Sequence, residues 1–240
     1  MSYVRIYCNQ INPLWKHRDV IHSAQTTDVW RINVRDSHAI PENILSTEER
    51  LKASRFLHNK DRDSYTSRRA ALRILLSRYL DIPAPEIEFI TGVNKKPEIK
   101  AQLSSIQFNL SHSGDQILIA ISDKAVGVDI ERIDPDFNFS DILKHSFSEQ
   151  EIEYMEQKGN RRELFFKLWT RKEALTKASS KGLDDDLSKI PCLDGSYTSR
   201  TELIGLEGTW NTSSFSINKE YECTIACLAG QKLNFLNFDF

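Results

Sequence analysis

The alternation of apolar and polar positions divides the chain into short strands and longer helices. Val29-Trp-Arg-Ile-Asn-Val34 has a period of two and predicts a strand. Ser46-Thr-Glu-Glu49 reads as a capping box, in which a Ser hydroxyl and a Glu three residues on satisfy orphan amides at a helix start, and the stretch to Leu57 is helical in composition. Arg62 to Leu80 predicts a stronger helix. Its apolar stripe is Ala71, Leu72, Leu75, Leu76 and Tyr79, and Pro83 and Pro85 close it. A strand is expected at Ile87–Ile90, followed by a turn-like basic loop from Thr91 to Pro97. Gln107–Leu110 and Gln116–Ser122 are expected strands joined around Ser111-His-Ser-Gly114, and Gly127–Ile133 alternates cleanly. A second capping box, Ser148 with Glu151, precedes the longest helix, Arg161 to about Ser180. The last fifty residues mix turns with short strands at Ser213–Ile217 and Cys223–Ala229.

The order strand, capped helix, long helix occurs twice. The capping serines Ser46 and Ser148 are 102 residues apart, and Thr66–Leu72 lies against Trp169–Leu175 at an offset of 103. These matches predict a duplicated α+β fold, each half a small, mainly antiparallel sheet packed with a long helix, over residues 1–105 and 106–240. The seam between such halves is a common place for a ligand.

Composition narrows the class. The chain has 240 residues, 40% hydrophobic and 28% charged, which suits one large globular domain or two small ones. No stretch approaches the run of roughly 18 apolar residues that a spanning helix needs, and Met1 to Gln10 lacks the basic-then-apolar pattern of a signal peptide. The net charge of −2 disfavours nucleic-acid binding by the whole surface but allows a local basic pocket. Cys8, Cys192, Cys223 and Cys227 fall at no zinc or redox spacing and read as buried small side chains. A cytoplasmic protein without membrane contact is expected.

Several groups could carry chemistry. Period two puts Asp129 and Glu131 on one strand face, with Val128 and Ile130 on the other. Two like charges so placed repel. A solvated strand face would relieve them, and so would a magnesium site, which uses one or two carboxylates with waters and phosphates. Trp169, Glu173 and Lys177, four apart, line one helical stripe, either as a surface ion pair or as part of a site. Ser111-His112 lacks the strand–turn–helix setting of a hydrolase nucleophile and suits a phosphate contact better. Lys95-Lys96 and the cluster Lys52, Arg55, Arg68 and Arg69 could meet phosphates or simply be solvated.

Together these pieces resemble the 4'-phosphopantetheinyl transferases, specifically the surfactin-synthetase-activating (Sfp-like) type. The matching blocks are Lys95-Lys-Pro97, Phe108-Asn-Leu-Ser-His-Ser113, Gly127-Val-Asp-Ile-Glu131, Phe147-Ser-Glu-Gln-Glu151 and Trp169-Thr-Arg-Lys-Glu-Ala174 followed by Lys177, over roughly Lys52 to Leu183. The family's Gly-Lys-Pro block reads Asn94-Lys-Lys-Pro97 here. The resemblance implies a pseudo-twofold fold and transfer of the phosphopantetheine arm of coenzyme A to a serine of an apo acyl, peptidyl or polyketide carrier protein, with Mg2+ required and 3',5'-ADP released. It implies metal ligands at Asp129, Glu131 and Glu173, which puts most of the metal site in the second half. It further implies a general base at Glu151, an acting lysine at Lys177, and coenzyme A contacts at Lys52, Arg69, Lys96, Asn109, Ser111, His112 and Lys172. A monomer serving secondary-metabolite pathways such as antibiotic biosynthesis follows by analogy, and Trp169 is expected to pack beneath the site. The alternatives weighed are a non-catalytic module that binds coenzyme A or a carrier protein, and a magnesium-dependent nucleotide phosphatase.

Overall fold

Two five-stranded sheets packed face to face form the centre of the protein, with one long helix on each outer side. The structure is a computed structural model that describes residues 2–17, 25–36, 42–92, 94, 96–100, 105–181 and 187–239. Lys95 and Leu183 lie outside the described residues.

In chain order the elements are β1 (Tyr3–Gln10), β2 (Trp15–Lys16), β3 (Thr26–Asn33), α1 (Thr47–Ala53), α2 (Asn59–Leu80), β4 (Phe89–Thr91), β5 (Pro97–Ile99), β6 (Gln107–Ser113), β7 (Gln116–Ser122), β8 (Val126–Arg132), α3 (Ser140–Ser146), α4 (Glu149–Glu156), α5 (Arg161–Ser179), β9 (Gly195–Arg200), α6 (Thr201–Ile204), β10 (Gly208–Ile217), β11 (Tyr221–Leu228) and β12 (Lys232–Asn237). Strands run β2-β12-β3-β7-β6 in the first sheet and β8-β11-β10-β1-β9 in the second, and β4 and β5 form a separate hairpin.

The expected duplication is visible in this order, with β6 and β7 joining the first sheet although they follow residue 105. In each half the leading strand, β3 or β8, pairs antiparallel with the second strand of a hairpin, β6-β7 or β10-β11. A helix with a complete capping box follows the leading strand in each half: Ser46 and Glu49 exchange hydrogen bonds at the start of α1, as do Ser148 and Glu151 at the start of α4. Leu72, Leu75 and Leu76 of α2 cover one face of the first sheet with Trp30, Ile32, Ile117, Ile119 and Ile121. Ala174, Leu175 and Ala178 of α5 cover the second against Val4, Ile6 and Trp210. The facing sides of the sheets meet through Val29, Leu118 and Phe235 on one side and Val128, Ile130, Phe215 and Ile225 on the other.

The two ends of the chain cross over. β1 pairs parallel with β10 in the second sheet, and β12 pairs parallel with β3 in the first. The hairpin differs from its expectation. β6 continues through Ser111, His112 and Ser113, and the turn shrinks to Gly114 and Asp115, with Gly114 at φ +54°. Glycine takes that left-handed conformation without strain. The helix expected from Arg62 begins at Asn59, and the strand expected at Ile87–Ile90 shifts to Phe89–Thr91, because Ala84–Glu86 forms a single tight turn ahead of it. All four cysteines are free and buried, as their apolar surroundings suggest. Among the described residues no helix is long and apolar enough to cross a membrane.

One contact sets the distance between α5 and β8. A Cβ on Gly127 would lie 2.0 Å from the carbonyl oxygen of Ala174 and 2.5 Å from the amide nitrogen of Ala178. Only a residue without a side chain lets the helix backbone rest on the strand here. Gly127→Ala is expected to destabilise the protein by about 3 kcal/mol, since backbone atoms cannot step aside as a side-chain tip can. Urea unfolding measures it, and an unchanged midpoint would mean that α5 adjusts freely.

Candidate active site

The close approach at Gly127 brings the last turns of α5 over the next residues of β8. Asp129 and Glu131 alternate along the strand on its α5 side, while Val128 and Ile130 enter the apolar seam between the sheets. Asp129 is 2% exposed. Its Oδ1 accepts from Lys177 Nζ at 2.6 Å and from Ser111 Oγ at 2.8 Å. Its Oδ2 is buried and has no hydrogen-bond partner among the described residues, which is costly for a charged group. Glu131 Oε2 accepts from Ser113 Oγ at 3.1 Å.

Glu173, one turn before Lys177 on α5, faces the same strand and is buried. Burial, and after it the charge of Asp129, push the Glu173 carboxyl up to about 7, with Lys177 pulling the other way. Burial and Asp129 likewise raise Glu131. Three carboxylates thus share a negative potential that Lys177 offsets only in part. Their donors are all oxygen, which fits a hard divalent cation, and the unpartnered Asp129 Oδ2 is the atom such an ion would satisfy. Among the described residues no three acidic, cysteine or histidine side chains already stand close enough to enclose one, and it is the Lys177 ammonium that sits on Asp129.

A cationic pocket of about 300 Å3 adjoins this cluster, lined by Lys52, Arg68, Arg69 and Lys96 with an apolar floor of Leu72, Phe108 and Leu110. Arg69 also pairs with Glu49 and lies over the Phe89 ring at 4.5 Å. Lys96 donates to the carbonyl of Lys177 at 2.9 Å, and Asn94 to that of Ser180 at 2.7 Å, so the loop between β4 and β5 caps the end of α5. His112 follows Ser111 on β6 and feels the charges of both Arg68 and Lys177. Loss of water around its ring, then the cations Arg68 and Lys177, lower its pKa to about 4, which leaves it neutral at pH 7. On the other side of Glu131 a pocket of about 660 Å3 is bounded by Ser113, Phe137, Phe165, Phe166 and Trp169. Trp169 also packs over Phe165 with the rings nearly parallel.

The structure therefore brings Asp129, Glu131, Glu173, Lys177, Ser111 and His112 together, with Lys52, Arg69, Lys96 and Asn109 at the adjoining pocket. Glu151 and Lys172 stand apart from that group. Glu151 is buried, and its Oε2 accepts from Ser148 N and from Lys172 Nζ, both at 2.9 Å, while its Oε1 accepts from Cys192 Sγ. Lys172 is fully buried and also donates to the carbonyls of Leu187 and Ile190. The first half holds a matching device. Glu49, the capping-box glutamate of α1, pairs with Arg69 and Arg73 of α2, and Arg69 falls on Lys172 at the offset of 103 residues. In both halves the short helix is strapped to the long one through its capping carboxylate.

Ser113 is a site residue that the spacing left unassigned. Its signal was present, because Ser111 and Ser113 repeat the two-residue spacing of Asp129 and Glu131.

Two family models match, and between them they span both halves. Residues 29–124 match the N-terminal 4'-phosphopantetheinyl transferase model, and residues 125–226 match the 4'-phosphopantetheinyl transferase superfamily model. The chain belongs to the 4'-phosphopantetheinyl transferase superfamily. It is 33% identical over 186 residues to the 4'-phosphopantetheinyl transferase psf-1 of Bacillus pumilus, covering 75% of this chain and 78% of that one. It is 32% identical over 143 residues to the 4'-phosphopantetheinyl transferase Sfp of Bacillus subtilis, covering 59% and 62%. The slr0495 protein of Synechocystis is 36% identical over 151 residues, 61% of each chain, so the matched stretch spans less than two thirds of that relative's length.

The raised Glu173 carboxyl makes the metal-free fold sensitive to pH. Between the unfolded value of 4.5 and about 7 the folded protein holds a proton that the unfolded chain releases. Stability from this group is complete below the lower value and is lost as pH rises through the upper one. In EDTA the melting temperature is expected to fall between pH 6 and pH 8, and Glu173→Gln should flatten that slope. An unaltered slope in the variant would assign the pH response to another group.

Proposed function

We propose that this protein transfers the 4'-phosphopantetheine arm of coenzyme A to a serine of an apo carrier protein, of acyl, peptidyl or polyketide type, and releases 3',5'-ADP. A magnesium ion would be held by Asp129, Glu131 and Glu173, and the protein would act as a cytoplasmic monomer. The observation that carries this reading is the buried, unpartnered Asp129 Oδ2, set beside two further carboxylates at the edge of a cationic pocket.

Each side chain has a task that follows from its place. Lys52, Arg68, Arg69 and Lys96 attract the phosphates of the nucleotide end, and Leu72, Phe108 and Leu110 give its base an apolar floor. Neutral His112 can hydrogen-bond a phosphate without adding charge. When bound, magnesium offsets the charge that develops on the pyrophosphate oxygens. Lys177, at the edge of the cluster, brings a second cation to the leaving phosphate. The arm then points past Glu131 into the larger pocket, from which the acceptor serine approaches.

The proton of that serine passes to a carboxylate at the pocket, directly or through water. Glu151, to which the family resemblance gives it, would first have to leave Ser148, Lys172 and Cys192. Glu151→Gln is expected to cost about 3 kcal/mol of stability through the broken buried pair, with turnover of the folded variant within threefold of the parent. A fall beyond tenfold at unchanged coenzyme A KM would return the proton to Glu151.

The transfer itself is read by intact-protein mass spectrometry of an apo carrier protein incubated with coenzyme A, magnesium and this protein. A gain of about 340 Da, the mass of the phosphopantetheine arm, is expected, and it should vanish with EDTA and with Glu173→Ala. No gain on acyl, peptidyl or polyketide carriers, with coenzyme A still binding by calorimetry, would leave a binding module in place of a transferase.

A further inference from the structure

The edge strands of the two sheets meet without pairing through their backbones. β6 ends the first sheet and β8 the second. Three alternate side chains of β6 reach across to three alternate amides of β8. Asn109 Oδ1 accepts from Val128 N at 2.8 Å, Ser111 Oγ from Ile130 N at 3.4 Å, and Ser113 Oγ from Arg132 N at 2.9 Å. The constant offset of 19 residues makes this a ladder, with side-chain oxygens standing where a neighbouring strand would put its carbonyls.

The two serines do more than accept. Each donates its hydroxyl proton to the carboxylate just before the amide it accepts from: Ser111 to Asp129 Oδ1 and Ser113 to Glu131 Oε2. A hydroxyl has one proton to give and two lone pairs. Ser111 uses all of them, since Lys177 Nζ donates to it at 3.0 Å as well as Ile130 N. Strand and side chain are therefore gripped at the same point, twice, two residues apart. Each grip takes one carboxylate oxygen and leaves the other: Oδ2 on Asp129 and Oε1 on Glu131.

We infer that Ser111 and Ser113 are positioning residues that clamp Asp129 and Glu131, so that each offers a single oxygen to the metal. The inference rests on the reading of these carboxylates as metal ligands. Ser113 is the sharper case, because its amide partner Arg132 is exposed and water can replace the lost contact.

The test is calorimetric titration of Mn2+ into the whole protein without coenzyme A, beside the KM for coenzyme A at saturating metal. Removing a group that orients a metal ligand typically costs at least about tenfold in metal affinity. Ser113→Ala is expected to weaken Mn2+ by about tenfold, more than any change in the coenzyme A KM, and Ser113→Thr, which keeps the hydroxyl, should bind within threefold of the parent. Equal Mn2+ affinity in the parent and Ser113→Ala would overturn the clamp, as would a Thr variant no better than Ala. A parent protein that bound no Mn2+ would instead overturn the metal reading on which the clamp depends.

Discussion

The structure turns on a charge placed where water does not reach. Asp129 lies on the α5 side of β8, and a buried carboxylate persists only if it is paired and hydrogen-bonded. Its partners come from two other elements: Ser111 on the edge of the other sheet, and Lys177 near the end of α5. Each requires a particular packing. Lys177 arrives because Gly127 lets the helix touch the strand, and Ser111 because the two sheets stack with their edges aligned. The site is thus a consequence of how the layers are joined, and a shift of either layer would leave the charge stranded.

The duplication makes the point by contrast. On the matching side of the first sheet β3 carries Trp30 and Ile32 against α2. The acid there, Asp28, is closed off: Tyr79 donates to its Oδ2, Asn234 donates to its Oδ1, and Trp30 donates in turn to Tyr79. The first half satisfies every oxygen of its buried acid, whereas the second leaves Asp129 Oδ2 open. The struts differ less. Glu49 with Arg69 and Arg73, and Glu151 with Lys172, perform the same mechanical task, and the first does so in a half without a carboxylate cluster. A family role for Glu151 has to be reconciled with that inherited task.

Much of this was legible along the chain because the decisive spacings are local. A two-residue period placed Asp129 and Glu131 on one face, a four-residue step aligned Glu173 with Lys177, and both capping boxes could be read from Ser and Glu alone. What could not be read was the environment of a side chain whose neighbours are distant. β1 alternates as plainly as any strand, with Val4, Ile6 and Cys8 buried, yet its partner β10 lies some 200 residues away and no local pattern names it. Ser111 and Ser113 resemble turn residues because small polar side chains usually face water, whereas here they face another strand. The coenzyme A contact expected at Lys172 came from the family resemblance alone, and no local spacing marks that lysine as buried. α5 is buried on nearly every side, so that lysine finds carbonyls and a carboxylate within the protein.

The crossing termini give this arrangement its stiffness. Each sheet borrows a parallel strand from the opposite end of the chain, β1 for the second half and β12 for the first. Separating the halves would strip a strand from each sheet as well as expose the seam at Val29, Leu118, Val128 and Ile130. Parallel pairing between strands so far apart in sequence carries a large ordering cost, which a simple tandem repeat would avoid. The return is a fixed distance between the edges β6 and β8, the gap across which side chains alone make the connection. Hydroxyl groups span that gap only within a few tenths of an ångström. A hinge between the halves would therefore loosen Asp129 and Glu131 before it opened either pocket, so binding and chemistry depend on the same rigid seam.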